Sequence, residues 1–167
     1  MTTAAELRSR ARLWPKGKYF EDFEVGKSFT HHWGRTLTES DNVQFSALTL
    51  NYHPTYLNVP YARAMGHAGA VANPLLVFLV VFGLSVEDLS ETGVAFLGVD
   101  DLTYHRPVLV GETVTARSTV MRVRESGSRP GQGIATWHTE GFDEHGELVI
   151  EFLRTNLISK RPIGETP

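Results

Sequence analysis

The sequence predicts a single α+β domain in which an antiparallel sheet wraps around one long apolar helix. Residues 74–84 form an apolar run, PLLVFLVVFGL, about half as long as a membrane-spanning helix and followed by Glu87 and Asp88. After Ser90 the pattern changes to strands with no helix between them, which disfavours a parallel, doubly wound sheet. A sheet and a helix that are both apolar are expected to cover each other.

The first strand and helix are predicted near the start of the domain. Residues 24–27 (EVGK) are typical of a turn, and a strand follows over about 28–37. Thr38 suits the N-cap of a helix, and the acidic Glu39 and Asp41 in the first turn complement the helix dipole. These residues predict a helix that begins directly after Thr38.

The helix over 39–49 is predicted to be amphipathic. Val43, Ala47 and Leu48 fall on one face at helical spacing, so we expect that face to point into the protein. The helix then ends in a turn at 51–54 (NYHP).

A short helical piece is expected before the apolar run, near 58–65, and it ends at Gly66. Asn73 and Pro74 then open the central helix, because Asn is a favoured N-cap and Pro suits the first helical position. Since 74–84 is apolar on nearly every side, we expect other structure to surround it.

The C-terminal half is predicted to be a meander of four strands. Its last two turns are the Gly-rich segment at 127–133 and the DEHG sequence at 143–146. The four strands fall at 94–99, 113–123, 133–142 and 148–158. An antiparallel sheet of this kind around one apolar helix is the hot-dog fold.

The predicted domain covers 18–160 and leaves tails at 1–17 and 161–167. A chain of 167 residues with 41% hydrophobic and 21% charged residues is typical of one globular domain. The tail at 1–17 has no apolar segment of the kind found in signal peptides, so we expect a cytoplasmic protein.

Charge and composition disfavour several kinds of site. The net charge of −3 gives no sign of a nucleic-acid partner, which usually requires a basic surface. The absence of cysteine excludes disulfides, thiolate metal ligands and a cysteine nucleophile. His31 and His32 are neighbours on a predicted strand and so point to opposite faces, and without a third ligand they predict no metal site.

Four segments carry a resemblance to a known family. They are 19–26 (YFEDFEVG), 35–45 (RTLTESDNVQF), 48–58 (LTLNYHPTYLN) and 104–114 (YHRPVLVGETV). In order and spacing these segments resemble the MaoC-like dehydratase family, from Tyr19 to about Ile158. The Leu-Thr-x-Asn form of the third segment is most similar to the branch that contains the mesaconyl-CoA and itaconyl-CoA hydratases.

The resemblance implies reversible addition of water across the double bond of a 2-enoyl thioester of CoA or acyl carrier protein, without a metal or redox cofactor. In the family's loop an Asp and a His hold the water and pass protons. A backbone N–H at the start of the central helix polarises the thioester carbonyl. This chemistry needs a base for the water, an acid for the α-carbon and donors for an enolate-like oxyanion.

The loop at 51–56 departs from that motif. Asn51 stands at the acid position, His53 at the Asn position and Tyr56 at the His position, and Asn58 replaces an Asp of the branch. The Asn51 side chain orients a water but accepts no proton at neutral pH. A phenol has a reference pKa of about 10 against about 6.5 for an imidazole, so Tyr56 suits a proton donor. We therefore predict Asn51, His53 and Tyr56 as the catalytic residues.

The start of the central helix departs from the family as well. Pro74 falls where the polarising N–H is expected, and proline has no N–H. The donor is then expected from the N–H of Leu75 or from the side chain of Asn73. The predicted substrate-binding residues are Asn58, His67, Asn73, Leu75 and Arg106.

Most of these residues also have a simpler structural explanation. His53 precedes Pro54 and suits a turn residue that bonds its own backbone, and Asn51 suits a helix end because Asn tolerates left-handed geometry. Asn73 suits an N-cap alone. Arg106 suits a solvated surface charge as well as a contact to a CoA phosphate.

Three functions remain open at the level of the sequence. The first is a hydro-lyase with a site rebuilt around His53 and Tyr56. The second is another reaction on the same fold, such as that of an isomerase, a thioesterase or a natural-product tailoring enzyme. The third is a non-catalytic acyl-binding or assembly subunit, favoured by Pro74. In each case we expect a homodimer or larger homo-oligomer, because a small sheet leaves edge strands that need covering.

Overall fold

The residues that the computed structural model describes are Thr3, Glu6, Arg8 and 17–162. Most of the two predicted tails, 1–17 and 161–167, lies outside them. In the described part of the chain no helix has the length and apolar character needed to cross a membrane.

The elements follow the predicted order, after a short 3-10 turn at Phe20–Asp22. The helices are α1 (Glu39–Leu48), α2 (Pro54–Leu57), α3 (Val59–Ala64), α4 (Pro74–Leu84) and α5 (Val86–Leu89). The strands are β1 (Ser28–Thr30), β2 (Arg35–Thr36), β3 (Gly93–Tyr104), β4 (Thr113–Glu125), β5 (Gln132–Phe142) and β6 (Leu148–Ser159).

The predicted strand over about 28–37 is wrong in one respect, because it is two short strands, β1 and β2. The interruption between them coincides with the burial of His31, while His32 faces solvent. His31 Nδ1 lies 2.8 Å from Asp88 Oδ2, and its Nε2 lies 2.9 Å from Ser118 Oγ. These contacts hold His31 against the inner side of the sheet.

The strands form an antiparallel sheet in the order β1-β4-β5-β6-β3, with β2 paired to β4. The predicted meander is confirmed for β4, β5 and β6. It is wrong for β3, which pairs with β6 at the far edge and not with β4. The connection at 105–112 therefore crosses the end of the sheet, where it pairs with the segment before α4.

The core lies where α4 packs on the sheet. The buried side chains of α4 are Leu76, Val77 and Val81, and they contact the buried face of the strands. We expected α4 to be surrounded, and that is wrong for one side, because Leu75 and Leu79 are about half exposed. The described sheet covers only part of the helix circumference, so an apolar strip remains on α4.

The α1 helix is confirmed in its position and its cap, since Thr38 Oγ1 accepts a hydrogen bond from the N–H of Asp41 at 3.1 Å. Its buried face is not the predicted one. Leu48 is 85% exposed and Val43 is exposed as well, whereas the polar side chain of Asn42 is buried. This face of α1 meets the N-terminus of α4, where Asn42 and Ser46 form hydrogen bonds with Asn73.

Candidate active site

A cavity of about 320 Å³ opens between α2, the N-terminus of α4 and the end of β3. Apolar side chains from the segment before α4, from α4 and from the connection at 107–108 form part of its wall. Its polar lining residues are His53, Thr55, Tyr56, His67, Tyr104 and Arg106. A mainly apolar pocket with a few convergent polar groups is typical of a small-molecule site.

Main-chain hydrogen bonds join the walls of this cavity. The N–H of Ala72 donates to the oxygen of Val108 at 2.8 Å. The N–H of Val71 donates to the oxygen of Thr55 at 3.2 Å. The segment before α4 therefore holds both α2 and the connection at 105–112 in place.

The predicted loop at 51–56 is divided between a helix end and the cavity. The N–H of Leu50 donates to the oxygen of Ala47 at 3.2 Å, and the N–H of Asn51 donates to that of Ser46 at 2.9 Å, which is a Schellman motif. The left-handed residue is Leu50, with a φ of 57°. Asn51 thus helps to close α1, and it is not among the residues that line the cavity.

His53 caps α2 and lines the cavity. Its Nδ1 accepts a hydrogen bond of 3.4 Å from the N–H of Thr55, so it does bond its own backbone. A neutral imidazole that accepts at Nδ1 carries its proton on Nε2. In this arrangement Nε2 of His53 is a donor.

Tyr56 lies beside His53, with 5.5 Å between the ring centroids. Both side chains line the cavity, so two of the three predicted catalytic residues come together and Asn51 does not join them. The main-chain oxygen of Tyr56 accepts a hydrogen bond of 2.8 Å from Asn42 Nδ2, which fixes the backbone of α2.

The N-terminus of α4 has no available donor at the predicted positions. Pro74 has no N–H, and the N–H of Leu75 donates to Asn73 Oδ1 at 3.1 Å. The Asn73 amide nitrogen donates to Ser46 Oγ at 3.2 Å in the interior. Asn73 is therefore an N-cap, and the Leu75 N–H is already used by it. The N–H of Leu76 comes next in the helix and has no hydrogen-bond partner among the residues that are described.

Asn58 and His67, two further predicted substrate-binding residues, differ in their placement. Asn58 Oδ1 accepts a hydrogen bond of 3.0 Å from the N–H of Tyr61, so it caps α3, and it does not line the cavity. His67 lines the cavity, and its ring nitrogens make no hydrogen bond within residues 17–162. Of the two histidines that line the cavity, His67 is the one whose ring nitrogens both lack a hydrogen-bond partner among the described residues.

Arg106 lines the cavity, but its guanidinium is held by carboxylates. Its Nη1 donates to Glu112 Oε2 at 2.9 Å, and its Nη2 donates to Asp143 Oδ2. Burial alone would raise the pKa of Asp143, yet the N–H of Glu147 and the guanidinium hold that pKa below its usual value. Arg106 is therefore neither a solvated charge nor a cation without a partner, because neighbouring acids already compensate it.

Tyr104 lines the cavity as well, and it is not among the site residues predicted from the sequence. Its hydroxyl donates to the main-chain oxygen of Pro74 at 2.7 Å. Burial first, and then the nearby phenol of Tyr56, raise the pKa of Tyr104 to about 12. The sequence feature that could have identified Tyr104 is its position two residues before Arg106, at the end of a strand.

The titratable side chains that line this cavity are imidazoles, phenols and the guanidinium of Arg106. No Asp or Glu is among the described residues that line it. Across the described residues, no group of three His, Asp or Glu side chains is placed to hold a metal ion. Two acids outside the lining, Glu112 and Asp143, are engaged with Arg106.

Comparison with known sequences points to one family. The family model described as mesaconyl-CoA hydratase matches residues 1–166. The mesaconyl-CoA hydratase of Haloarcula marismortui is 41% identical over 165 residues, which are 98% of this chain and 46% of that protein. The beta-methylmalyl-CoA dehydratase of Chloroflexus aurantiacus is 32% identical over 146 residues, which are 87% of this chain and 41% of that protein. The chain thus spans less than half the length of these curated relatives.

Solved structures agree with the sequence comparison. A MaoC domain protein dehydratase from Chloroflexus aurantiacus has a TM-score of 0.83 and 30% identity, over 90% of this chain and 42% of that one. A Mycobacterium tuberculosis protein with a double hotdog fold has a TM-score of 0.82 and 27% identity, over 90% of this chain and 47% of that one. The predicted hot-dog fold is confirmed, and the chain belongs to the mesaconyl-CoA hydratase family of MaoC-like proteins.

Proposed function

We propose that the chain is a hydro-lyase that adds water reversibly across the double bond of a 2-enoyl-CoA thioester. The observation that carries this proposal is that His53 and Tyr56, at the position of the family's hydratase loop, share one cavity with the first turn of α4. The relatives support it, since they are named as mesaconyl-CoA hydratases and as a dehydratase.

The proposed reaction places a hydroxyl on the β-carbon and a proton on the α-carbon, and both come from one water molecule. The substrate is neither oxidised nor reduced overall, so the reaction needs no redox cofactor. We propose that it uses no metal either, as the resemblance to the family implies. The reaction needs a proton acceptor, a proton donor and hydrogen-bond donors for the thioester oxygen.

We assign these roles to the imidazole and phenol groups of the cavity. His67 is the proton acceptor, because its ring makes no hydrogen bond within 17–162 and an imidazole exchanges protons near neutral pH. His53 and Tyr56 are the donors, His53 through Nε2–H and Tyr56 through its hydroxyl. The thioester oxygen is assigned to the first turn of α4, near the N–H of Leu76.

The substrate we propose is a short, branched enoyl-CoA such as mesaconyl-CoA. The cavity volume of about 320 Å³ lies at the lower end of ligand pockets, which span roughly 300–1,000 Å³. The names of the relatives favour CoA over a carrier protein.

A second candidate is a thioester-binding unit without activity of its own. The absence of a carboxylate among the described lining residues favours it, as does Pro74 at the position of the usual N–H donor. In this case the cavity binds an enoyl-CoA and leaves it unchanged.

We also propose that the chain works as a homodimer, through the outer edge of β3. This strand is 12 residues long, exposes Phe96 and Leu97, and pairs within the described residues only with β6. Long apolar edges in native proteins are usually covered. A cytosolic location is proposed as well, since a chain without cysteine suits a reducing compartment.

Loss of the enoyl-thioester absorbance tests the proposed activity, with mesaconyl-CoA, crotonyl-CoA and longer straight-chain enoyl-CoAs as substrates. Turnover of the short thioesters is the expected result. Calorimetric binding without any loss of absorbance selects the second candidate, and the absence of both binding and turnover contradicts both.

A further inference from the structure

Asn42 is a buried polar residue on the side of α1 that faces α4. Its side chain is 1% exposed. Nδ2 donates to the main-chain oxygens of Tyr56 and Val71 at 2.8 and 3.1 Å, and Oδ1 accepts from the N–H of Asn73 at 2.6 Å. Both amide hydrogens and the oxygen are therefore engaged with the main chain.

The three partners of Asn42 belong to three different parts of the cavity. Tyr56 lies in α2, Val71 lies in the segment that pairs with the 105–112 connection, and Asn73 caps α4. Asn42 itself is not among the lining residues. It thus connects the separate walls of the cavity from behind.

Few side chains can donate two hydrogen bonds and accept a third in this arrangement. Asn supplies two donors and one acceptor in a plane, whereas Asp of the same shape has no amide hydrogens. Ser46 lies one turn further along α1 and is equally buried, but its Oγ contacts only Asn73 Nδ2, at 3.2 Å. Ser46 therefore provides a matched control for Asn42.

We propose that Asn42 is a positioning residue for the hydration reaction. It holds the backbone of Tyr56 and the N-terminus of α4 at the relative placement that the reaction requires, and it acts without touching the substrate. The inference rests on the proposed function. Placement is expected to matter strongly, since a displacement of about 1 Å lowers a rate by about 100-fold.

The kinetic test compares Asn42→Ala and Asn42→Asp with Ser46→Ala, each assayed at a temperature where circular dichroism shows it folded. For the Asn42 variants we expect kcat to fall by about 100-fold and KM to stay within about threefold, while Ser46→Ala keeps kcat within about threefold. Asn42→Asp retains the side-chain volume and the acceptor oxygen, so it still tests the proposal if Asn42→Ala does not fold. A wild-type kcat in Asn42→Asp, or an equal loss in Ser46→Ala, overturns the proposal.

Hydrogen exchange separates this inference from the proposed function. The N–H of Val71 bonds to α2 through the oxygen of Thr55, so it should exchange faster in Asn42→Asp than in Ser46→Ala. If the wild type turns over no enoyl-CoA while exchange rises as expected, the proposed function alone fails and Asn42 still organises the cavity. Unchanged exchange at Val71 overturns the inference whatever the activity.

Discussion

The phenol of Tyr104 donates a hydrogen bond of 2.7 Å to the main-chain oxygen of Pro74. The contact joins the last residue of β3 to the first residue of α4, and both residues line the cavity. Burial, with the phenol of Tyr56 as a second cause, raises the pKa of Tyr104 to about 12, so the donor stays protonated at physiological pH. Tyr104 therefore fixes the first turn of α4 to the sheet.

Replacing Tyr104 with Phe removes this hydrogen bond and keeps the ring. A neutral hydrogen bond contributes about 0.5–1.5 kcal/mol, so we expect kcat/KM for the enoyl-CoA to fall by about 2- to 12-fold. Tyr52→Phe is the control, because its exposed hydroxyl makes a longer contact of 3.4 Å outside the cavity. Equal kinetics for the two variants would contradict the assignment of Tyr104 to the site.

Acid is predicted to destabilise the protein through His31. Burial lowers the pKa of His31, although the hydrogen bond to Asp88 opposes this effect. The unfolded chain therefore binds a proton more readily than the folded one, and stability is lost as the pH falls below about 6.5. Urea unfolding at pH 7.5, 6.5 and 5.5 should show a free energy of unfolding that decreases over this range.

Two variants, His31→Gln and His32→Gln, test whether His31 causes that pH dependence. In His31→Gln the decrease between pH 6.5 and 5.5 should become smaller, while the exposed neighbour His32→Gln should behave as the wild type. The carboxylates whose pKa is lowered, such as Glu151, act only at more acidic pH, because their usual pKa is about 4. An unaltered pH dependence in His31→Gln would rule out the assignment.

We predict that replacing Arg106 lowers the stability of the protein more than it weakens binding of the CoA phosphates. Replacing Arg106 with Gln leaves Asp143 and Glu112 without their cation, so the Tm should fall. Arg117→Gln breaks a more exposed pair with Glu140 and should change the Tm less. KM should change equally for CoA and pantetheine thioesters; a rise confined to the CoA thioester would show that Arg106 contacts a phosphate.

The edge of β3 is predicted to form the dimer interface. Leu97→Lys places a charge on this edge and should shift the protein towards monomer in analytical ultracentrifugation. Val25→Lys changes a side chain with 65% exposure in a turn away from β3 and should leave the association unchanged. A wild-type protein that is monomeric at micromolar concentration would disprove the proposed homodimer.

The sequence predicts the elements whose pattern is local. The apolar run that becomes α4 and the strands β4 to β6 are predicted within about two residues, because a continuous apolar run, β-branched residues and flanking turns are local signals. The position of β3 beside β6 was not predicted, because strand pairing depends on contacts between distant residues. Sequence spacing cannot distinguish a strand that continues a meander from one that crosses the sheet.

The roles of the polar residues of the site also depend on contacts between residues that are distant in the sequence. Asn42 is not among the site residues predicted from the sequence, because its buried side chain binds main-chain groups 14 to 31 residues away. Asn51 was selected for its position in the loop, but its role depends on the end of α1. Tyr104 was missed because its partner, Pro74, lies 30 residues earlier.

The most direct test of the proposed active site compares the hydration rate of mesaconyl-CoA by the wild type with the rates of His53→Ala, His67→Ala and Tyr56→Phe. Loss of the enoyl-thioester absorbance gives kcat/KM for each, and thermal melting shows that each is folded. Acid–base catalysis by one group contributes about 100- to 10,000-fold, so we expect turnover by the wild type and a loss of at least about 100-fold in His67→Ala. No turnover of any short enoyl-CoA by the wild type, or a wild-type rate in His67→Ala, would contradict the account.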